Sequence, residues 1–348
     1  MQSNSQFLIT LGGILLLGLV TSTIGHRTFL PRVTLLLLFG VLIGKDFLDL
    51  IPAVFSDRFE IIADMALLTV GFLLGGKLTA SSLRKTADQV LWISISAAIV
   101  TAVIVSLGLI VIGVSKEIAI LLGCIASATA PAAIFDVVKE SNHKGRFSNL
   151  LLSIVALDDA WALLLFGIGV TVVTSINGQA TDVSPILTIS KDIVGAILLG
   201  ALIGLPAAYI TGRIKWGEPI LSEALGIVFI SGGVAMMLDV SFLITSMVMG
   251  AVIANFARHH NYPFHAIEGI EWPFMVIFFV LAGASLELSA VKEIGMIGLV
   301  YIFCRALGKY LGALLGSQLS HASKETTRWM GVALLPQAGV AIGMALVA

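Results

Sequence analysis

The sequence predicts an all-α, polytopic membrane protein that contains an inverted repeat. Hydrophobic residues make up 58% of the 348 positions and charged residues only 12%, against roughly 25% charged residues in a typical soluble domain. Apolar stretches of about 20 residues, the length that spans a bilayer, recur along the whole chain. Two of these stretches end in similar motifs and cross the membrane in opposite directions. No basic tract offers a surface for nucleic acid.

Twelve apolar spans can be placed on the sequence. No soluble domain, long linker or low-complexity tract separates them, so residues 1–348 are predicted to form a single integral domain. We expect the spans near 7–25, 33–48, 59–77, 88–113, 117–138, 148–176, 191–212, 220–238, 241–257, 270–286, 294–319 and 327–348.

The loops between the spans predict the orientation of the chain. One set of alternate loops carries thirteen Lys and Arg residues and the other set carries five. Because positively charged loops stay on the cytoplasmic side, the N-terminus is predicted to lie outside.

A short motif repeats in the third and tenth spans. Phe72–Gly76 (FLLGG) closes the third span and Phe279–Gly283 (FVLAG) closes the tenth, and a proline follows 55 and 53 residues later. The two spans are an odd number of crossings apart, so they run in opposite directions. This pattern is typical of secondary transporters with a site near the membrane midplane. The repeat places the counterpart of the sixth span, a thirteenth helix, after Ala348.

Two spans contain residues that interrupt a helix. Proline removes a backbone donor and clashes with the preceding turn, and irregular backbone at membrane depth is tolerated only beside a cavity or inside protein. Either proline alone fits an ordinary kink, whereas a matched pair favours two broken helices whose ends direct partial charges at a site. The residues concerned are Thr129, Ala130 and Pro131 in the fifth span and Pro336, Gln337 and Gly339 in the twelfth.

Two adjacent acids, Asp158 and Asp159, lie within the sixth span. A carboxylate at this depth costs a few kcal/mol or more and indicates a functional site. Lys309 and Arg305, one turn apart in the eleventh span, share a helix face. Asp158 and Lys309 each lie ten residues from the cytoplasmic edge, about 15 Å at 1.5 Å per residue. Since the acids point about 100° apart, one can pair with the lysine while the other faces water. A purely structural ion pair is the alternative.

Other polar residues give weaker signals. His259, His260 and His265 form a loop cluster whose spacing matches no zinc pattern, although histidine can sense pH near neutrality. Structural roles near helix ends are expected for the remaining acids, which are Asp64, Asp136, Glu223 and Asp239.

The motifs together resemble the monovalent cation:proton antiporter superfamily, in particular its electrogenic Asp-Asp sodium/proton branch. ALDDAWALLLFG resembles the Asp-Asp helix, and SATAPAAIFDVVKE and LPQAGVAIGMALVA resemble the two unwound helices. RALGKYLG resembles the lysine-bearing helix, and GFLLGGKL and FFVLAGASLEL resemble the repeated helix-end motif. The similarity runs from about Pro31 to Ala348.

The resemblance implies a fold and roles for individual residues. It implies thirteen helices, with core repeats at 59–176 and 270–348 and dimerisation or scaffold helices at 1–58 and 191–257. It further implies that Asp159 is the main carrier of Na+ or a proton, and that Asp158 pairs with Lys309 when no ion is bound. Ala130 departs from the family, because many relatives carry an aspartate there, and this departure leaves the cation preference open. Arg305 is expected to supply or compete for the salt bridge.

The implied activity is exchange of Na+ or Li+ for protons by alternating access, with net charge movement and no cofactor. Thr129 is expected to join Asp158 and Asp159 at the ion. We also expect a homodimer in the plasma membrane (the bacterial inner membrane). A K+/H+ or broad monovalent cation exchanger is the alternative. An intramembrane aspartyl protease needs two acids on facing helices, which this chain lacks, and a non-transporting sensor on the same scaffold is a remote alternative.

Overall fold

A computed structural model describes residues 2–25, 31–52, 59–141, 145–176, 185–211, 220–257, 261–286 and 288–337. These residues form thirteen helices and, within the described ranges, no strand. The helices are α1 (Gln2–Gly25), α2 (Arg32–Ile43), α3 (Phe59–Gly75), α4 (Ala80–Val111), α5 (Lys116–Ala126), α6 (Pro131–Ser141), α7 (Arg146–Ile176), α8 (Pro185–Thr211), α9 (Ile220–Met237), α10 (Phe242–Phe256), α11 (Asn261–Ala284), α12 (Leu288–Leu319) and α13 (Lys324–Ala333).

The helices confirm an all-helical, multi-pass integral membrane protein. In the described part of the chain, seven segments are long and apolar enough to cross a bilayer, and four shorter helices are also apolar. The twelve or thirteen crossings expected from the sequence stay a prediction. Several helices begin earlier than their apolar spans, and α11 begins at Asn261 rather than near 270. A hydropathy pattern misses its first turns because they contain the polar residues Asn261, His265 and Glu268; in the fold His265 pairs with Glu268, whose carbonyl accepts from Lys139.

The packing of the helices divides them into two groups. A flanking group contains α1, α2, α3, α8, α9, α10 and α11, and a crossing group contains α4, α5, α6, α7, α12 and α13. The two groups meet where α6 and α7 pack against α2, α3 and α8. The crossing group therefore holds both of the predicted helix interruptions as well as the acidic pair.

Close glycine contacts show the inverted repeat within the flanking group. A Cβ on Gly40 of α2 would lie 2.2 Å from the Val280 carbonyl of α11, and a Cβ on Gly283 would lie 2.2 Å from the Leu37 carbonyl. The same reciprocal contact joins α10 to α3, where the corresponding distances are 2.3 Å from Gly250 to the Phe72 carbonyl and 2.0 Å from Gly75 to the Met247 carbonyl. Helices α2 and α3 thus correspond to α10 and α11.

These contacts correct the sequence register of the repeat by one residue. They make Gly75, not Gly76, the counterpart of Gly283, which follows it by 208 residues. The helix caps have the same separation, because Ser115 accepts from the Ile118 amide and Ser323 accepts from the Thr326 amide. In this register the counterpart of Pro336 is Ala128. Pro131 and Pro336 are therefore offset by three residues within the repeat, against the two residues read from the sequence.

Small residues let α4 and α12 approach closely. A Cβ on Gly308, Gly312 or Gly316 of α12 would lie 2.2–2.7 Å from atoms of α4, most of them backbone. The Ser96 hydroxyl of α4 also donates to the Gly312 carbonyl at 2.8 Å. Gly295 has a φ of 49°, which kinks α12 near its start. Beyond this kink, the close packing fixes the helix that carries Arg305 and Lys309.

Candidate ion-binding site at the helix breaks

The first break separates α5 from α6. Helix α5 ends at Ala126, residues 127–130 are not helical, and α6 begins at Pro131. Proline is favoured at the first helical position, where its missing N–H is not needed. The Ser127 hydroxyl donates to the Cys124 carbonyl at 2.6 Å, and every residue from Ser127 to Pro131 is buried. Several carbonyls at this break consequently need donors from elsewhere in the fold.

The second break follows α13 and touches the first. Helix α13 ends at Ala333, and the chain from Leu335 to Gln337 is not helical. The Ala130 amide of the first break donates to the Pro336 carbonyl at 3.0 Å. Gly339, a predicted part of this interruption, lies outside the described residues.

Asp158 lies beside the first break and pairs with Lys309. Lys309 Nζ is 3.0 Å from Asp158 Oδ2, and both side chains are fully buried. The same Nζ donates to the Ser127 carbonyl at 2.7 Å. Two charges can stay buried because each desolvated group has a partner of opposite charge or polarity. The structure thus brings together α7, α12 and the first break. Asp159 belongs to α7, but its side chain is not among those that the structure describes.

Two buried oxygens next to this pair remain without a hydrogen bond. Both residues are fully buried, and their side chains are close enough to interact. Within the described residues, however, neither Asp158 Oδ1 nor Thr129 Oγ1 makes a hydrogen bond of ordinary geometry. Buried polar atoms are nearly always hydrogen-bonded, so such an atom calls for an explanation. A carboxylate and a hydroxyl oxygen are ligands that a small monovalent cation can use.

Arg305 binds carbonyls of both breaks. Its guanidinium donates to the Ala128 carbonyl at 3.0 Å, to the Pro336 carbonyl at 3.3 Å and also to the Leu335 carbonyl. The side chain is only 6% exposed. Lys309, and not Arg305, makes the hydrogen bond to Asp158. In this conformation Arg305 therefore acts on the carboxylate only through space.

A tyrosine that the sequence reasoning missed completes this face of α12. Gln337 Nε2 donates to the Tyr301 hydroxyl at 2.9 Å and to the Ile125 carbonyl at 3.1 Å. Tyr301, Arg305 and Lys309 follow one another at four-residue intervals and all reach the breaks. That interval is the sequence signal that could have identified Tyr301, since such residues share a helix face.

A second charged cluster joins α6 to α2 and α11. Asp136 was expected to be a structural residue near a helix end, but it is fully buried in α6, 4.0 Å from Arg32. Arg32 also pairs with Glu140 at 3.3 Å, and Lys139 pairs with the buried Glu271 at 2.9 Å. These ion pairs connect the crossing group to the flanking group.

The remaining candidates lie apart from the breaks. His265 pairs with Glu268 at 3.3 Å, while His259 and His260 lie outside the described residues. No group of three or more His, Cys, Asp or Glu side chains that could hold a metal occurs in the described ranges. Glu223 lies in the first turn of α9, and Asp239, with a φ of 52°, lies in the turn after it. Neither acid lies on the elements that form the breaks.

An interrupted helix, α5 to α6, that contacts the chain after α13 beside a buried carboxylate–lysine pair is typical of membrane transport proteins built on inverted repeats. The profile of the family described as "Sodium/hydrogen exchanger, transmembrane" matches residues 12–348. The chain therefore belongs to this family of transporters, which confirms the family expected from the sequence motifs.

Named relatives and solved structures agree with this membership. The chain is 21% identical over 336 residues to the ammonium/H+ antiporter subunit AmhT of Alkalihalophilus pseudofirmus, with 94% of this chain and 83% of AmhT covered. It is 24% identical to an Enterococcus hirae Na+/H+ antiporter, with 95% and 87% covered. The sodium proton antiporter MjNhaP1 of Methanocaldococcus jannaschii has the same fold, with a TM-score of 0.72, 20% identity and coverage of 99% and 86%.

Proposed function

We propose that this protein exchanges Na+ or Li+ for protons across the membrane. The observation that carries the proposal is the buried Asp158, which gives one oxygen to Lys309, while the other lies beside the Thr129 hydroxyl without a hydrogen bond to any described residue. Such a site offers oxygen ligands to a cation and a carboxylate to a proton. The relatives named as Na+/H+ antiporters provide further support.

The proposed mechanism is competition between the two ions for one site. Without a cation, Lys309 neutralises Asp158. A cation that reaches Asp158 Oδ1 and Thr129 Oγ1 replaces the positive charge of the ammonium group, and Asp159 is proposed as its main carrier. Protonation of the acids expels the cation. Because interacting groups titrate together, Asp158, Asp159 and Lys309 respond to pH as one coupled set.

The exchange follows from the cost of moving the empty site. An uncompensated charge within the membrane is expensive, so the site crosses only when it is loaded with a cation or with protons. The crossing group is proposed to move against the flanking group and so alternate the access. A net charge moved per cycle couples to membrane potential by about 2.3 kcal/mol per 100 mV.

The proposal includes several properties of the whole protein. The chain acts as a transporter and not as an enzyme, and it uses no cofactor. It functions as a homodimer in the plasma membrane with its N-terminus outside. The loop charges support this orientation, and the resemblance to the superfamily supports the dimer and the location.

The identity of the cation has a second candidate. The relative AmhT is named as an ammonium/H+ antiporter subunit, and Ala130 lacks the carboxylate that many relatives carry. We therefore propose NH4+ and K+ as alternative substrates, and their transport must be compared with that of Na+ and Li+.

Proteoliposomes with an imposed pH gradient test the proposal. The purified protein is reconstituted with a pH-sensitive dye inside, and Na+, Li+, K+ and NH4+ salts are added in turn. The NH4+ trace is corrected with protein-free liposomes because ammonia crosses lipid. We expect Na+ and Li+ to collapse the gradient and Asp159→Asn to abolish the response. Wild-type protein that moves no protons with any cation would contradict the function.

A further inference from the structure

The breaks expose backbone carbonyls, yet basic or amide side chains occupy those that face α12. Ile125 O accepts from Gln337, and Ser127 O accepts from Lys309. The carbonyls of Ala128, Leu335 and Pro336 all accept from Arg305. One guanidinium therefore holds three of these five oxygens.

The occupied carbonyls change what a cation can bind. Backbone carbonyls that replace a hydration shell suit K+, and the number and field strength of such dipoles contribute to the choice between K+ and Na+. With these carbonyls held by Arg305, the buried side-chain oxygens left without a hydrogen bond at the break are Asp158 Oδ1 and Thr129 Oγ1 among the described residues. Ionised carboxylates concentrate charge, and a few such ligands favour a small cation over a large one.

We propose that Arg305 determines specificity by keeping the carbonyls of Ala128, Leu335 and Pro336 away from the transported ion. The inference rests on the proposed function and deepens it, because it assigns the preference for Na+ and Li+ over K+ to this side chain. It differs from a salt-bridge role, since Arg305 acts through the backbone of both breaks rather than through Asp158.

The guanidinium is suited to this role by shape as well as by charge. It presents five donors in a rigid, planar fork and stays charged at all relevant pH values. Its donors reach two separate segments, so Arg305 also fixes the distance between the breaks. A lysine keeps the charge but provides a single ammonium point on a flexible chain, which cannot hold three carbonyls in this arrangement.

The test compares Arg305→Gln and Arg305→Lys with wild-type protein and with Arg328→Gln. Arg328 is an exposed residue of α13 that lies over Trp329 and away from the breaks, so it controls for the loss of one arginine. In proteoliposomes, the ratio of the apparent KM for K+ to that for Na+ is measured at fixed pH. We expect both Arg305 variants to lower this ratio about tenfold, which corresponds to about 1.4 kcal/mol of selectivity, and Arg328→Gln to leave it unchanged.

A binding measurement separates this inference from the proposed function. The thermal stabilisation of the detergent-purified protein by NaCl and by KCl reports selectivity without transport. If Arg305→Gln gains stabilisation by K+ relative to Na+, the inference stands even where no exchange is seen. If the variant is folded and keeps the wild-type selectivity in this assay, or if Arg305→Lys restores it, the proposed role of Arg305 is wrong.

Discussion

Lys309 Nζ and Asp158 Oδ2 lie 3.0 Å apart, and neither side chain is exposed. The pair joins the two halves of the repeat, because Asp158 lies on α7 and Lys309 lies on α12. The other hydrogen-bonding groups of the two side chains lie beside the helix breaks. Lys309 donates to the Ser127 carbonyl, and Asp158 Oδ1 has no hydrogen bond within the described part of the chain. The same two residues thus stabilise the core and form the centre of the proposed site.

Removal of only one partner of this pair should destabilise the protein. A buried charge left alone typically costs about 3–5 kcal/mol, so we expect Lys309→Met to lower the thermal unfolding temperature in detergent by several degrees. The double variant Asp158→Asn/Lys309→Met leaves no isolated charge and should recover much of the loss. If the double variant is as unstable as the sum of the two single variants, then the residues do not form an energetically coupled pair.

The Lys139–Glu271 pair should show similar coupling at the contact between the two helix groups. Glu271 is fully buried and Lys139 is 39% exposed, so the cost is smaller than for Lys309. We expect Lys139→Ala to destabilise the protein by about 1–3 kcal/mol, the typical range for leaving a buried acceptor unsatisfied. The double variant Lys139→Glu/Glu271→Lys, in which the two charges are swapped, should be more stable than Glu271→Lys alone. Equal stability of these two variants would show that the contact contributes nothing.

The close approach of α4 and α12 makes Gly312 sensitive to the smallest substitution. A Cβ at this position would lie 2.6 Å from the Ser96 carbonyl and 2.7 Å from the Ala97 Cα. Overpacking a tight interface typically costs about 1–3 kcal/mol, so Gly312→Ala should unfold at lower temperature. Gly226→Ala in α9 is the matched control because nothing lies within 4 Å of its added Cβ. There the better helix propensity of Ala should leave stability unchanged or higher. If Gly312→Ala unfolds at the same temperature as the wild-type protein, the close packing of α12 against α4 is contradicted.

The Ser323 cap should contribute to the stability of α13. Its hydroxyl accepts from the Thr326 amide at 3.2 Å at the start of α13. Replacing such a cap with alanine typically costs about 1 kcal/mol, so we expect Ser323→Ala to lower stability and Ser323→Asp to restore it. Circular dichroism during thermal unfolding measures both effects. If Ser323→Ala is as stable as the wild-type protein and as Ser323→Asp, the side chain has no capping role.

The sequence was sufficient for the fold class and the family because both depend on local patterns. Apolar spans and the Asp-Asp and lysine motifs each lie within one short segment, and the matches to the exchanger family and to MjNhaP1 confirm the fold class and the family that they predicted. The orientation that the loop charges indicate stays a prediction. The depth of Asp158 and Lys309 could also be counted along their helices. Their roles in ion binding stay predictions.

Features that depend on contacts between distant segments could not be predicted in this way. The repeat register is set by the backbone contacts of Gly75 and Gly283, which no pattern within one span reveals. Hydropathy excluded the start of α11 because that stretch is polar, and it does not report that the Glu268 carbonyl there accepts from Lys139 of α6. Arg305 was expected to compete for a carboxylate, and its carbonyl partners exist only because the two breaks meet.

Proton release on Na+ binding is a direct test of whether Na+ and protons compete for one site. Detergent-purified protein is held in a weakly buffered solution that contains a pH indicator, and Na+ is added at constant ionic strength. Competition for one site predicts that Na+ releases protons from wild-type protein and that the apparent Na+ affinity rises with pH. Asp159→Asn should release few or none. Saturable Na+ binding to wild-type protein with no proton release would contradict the account.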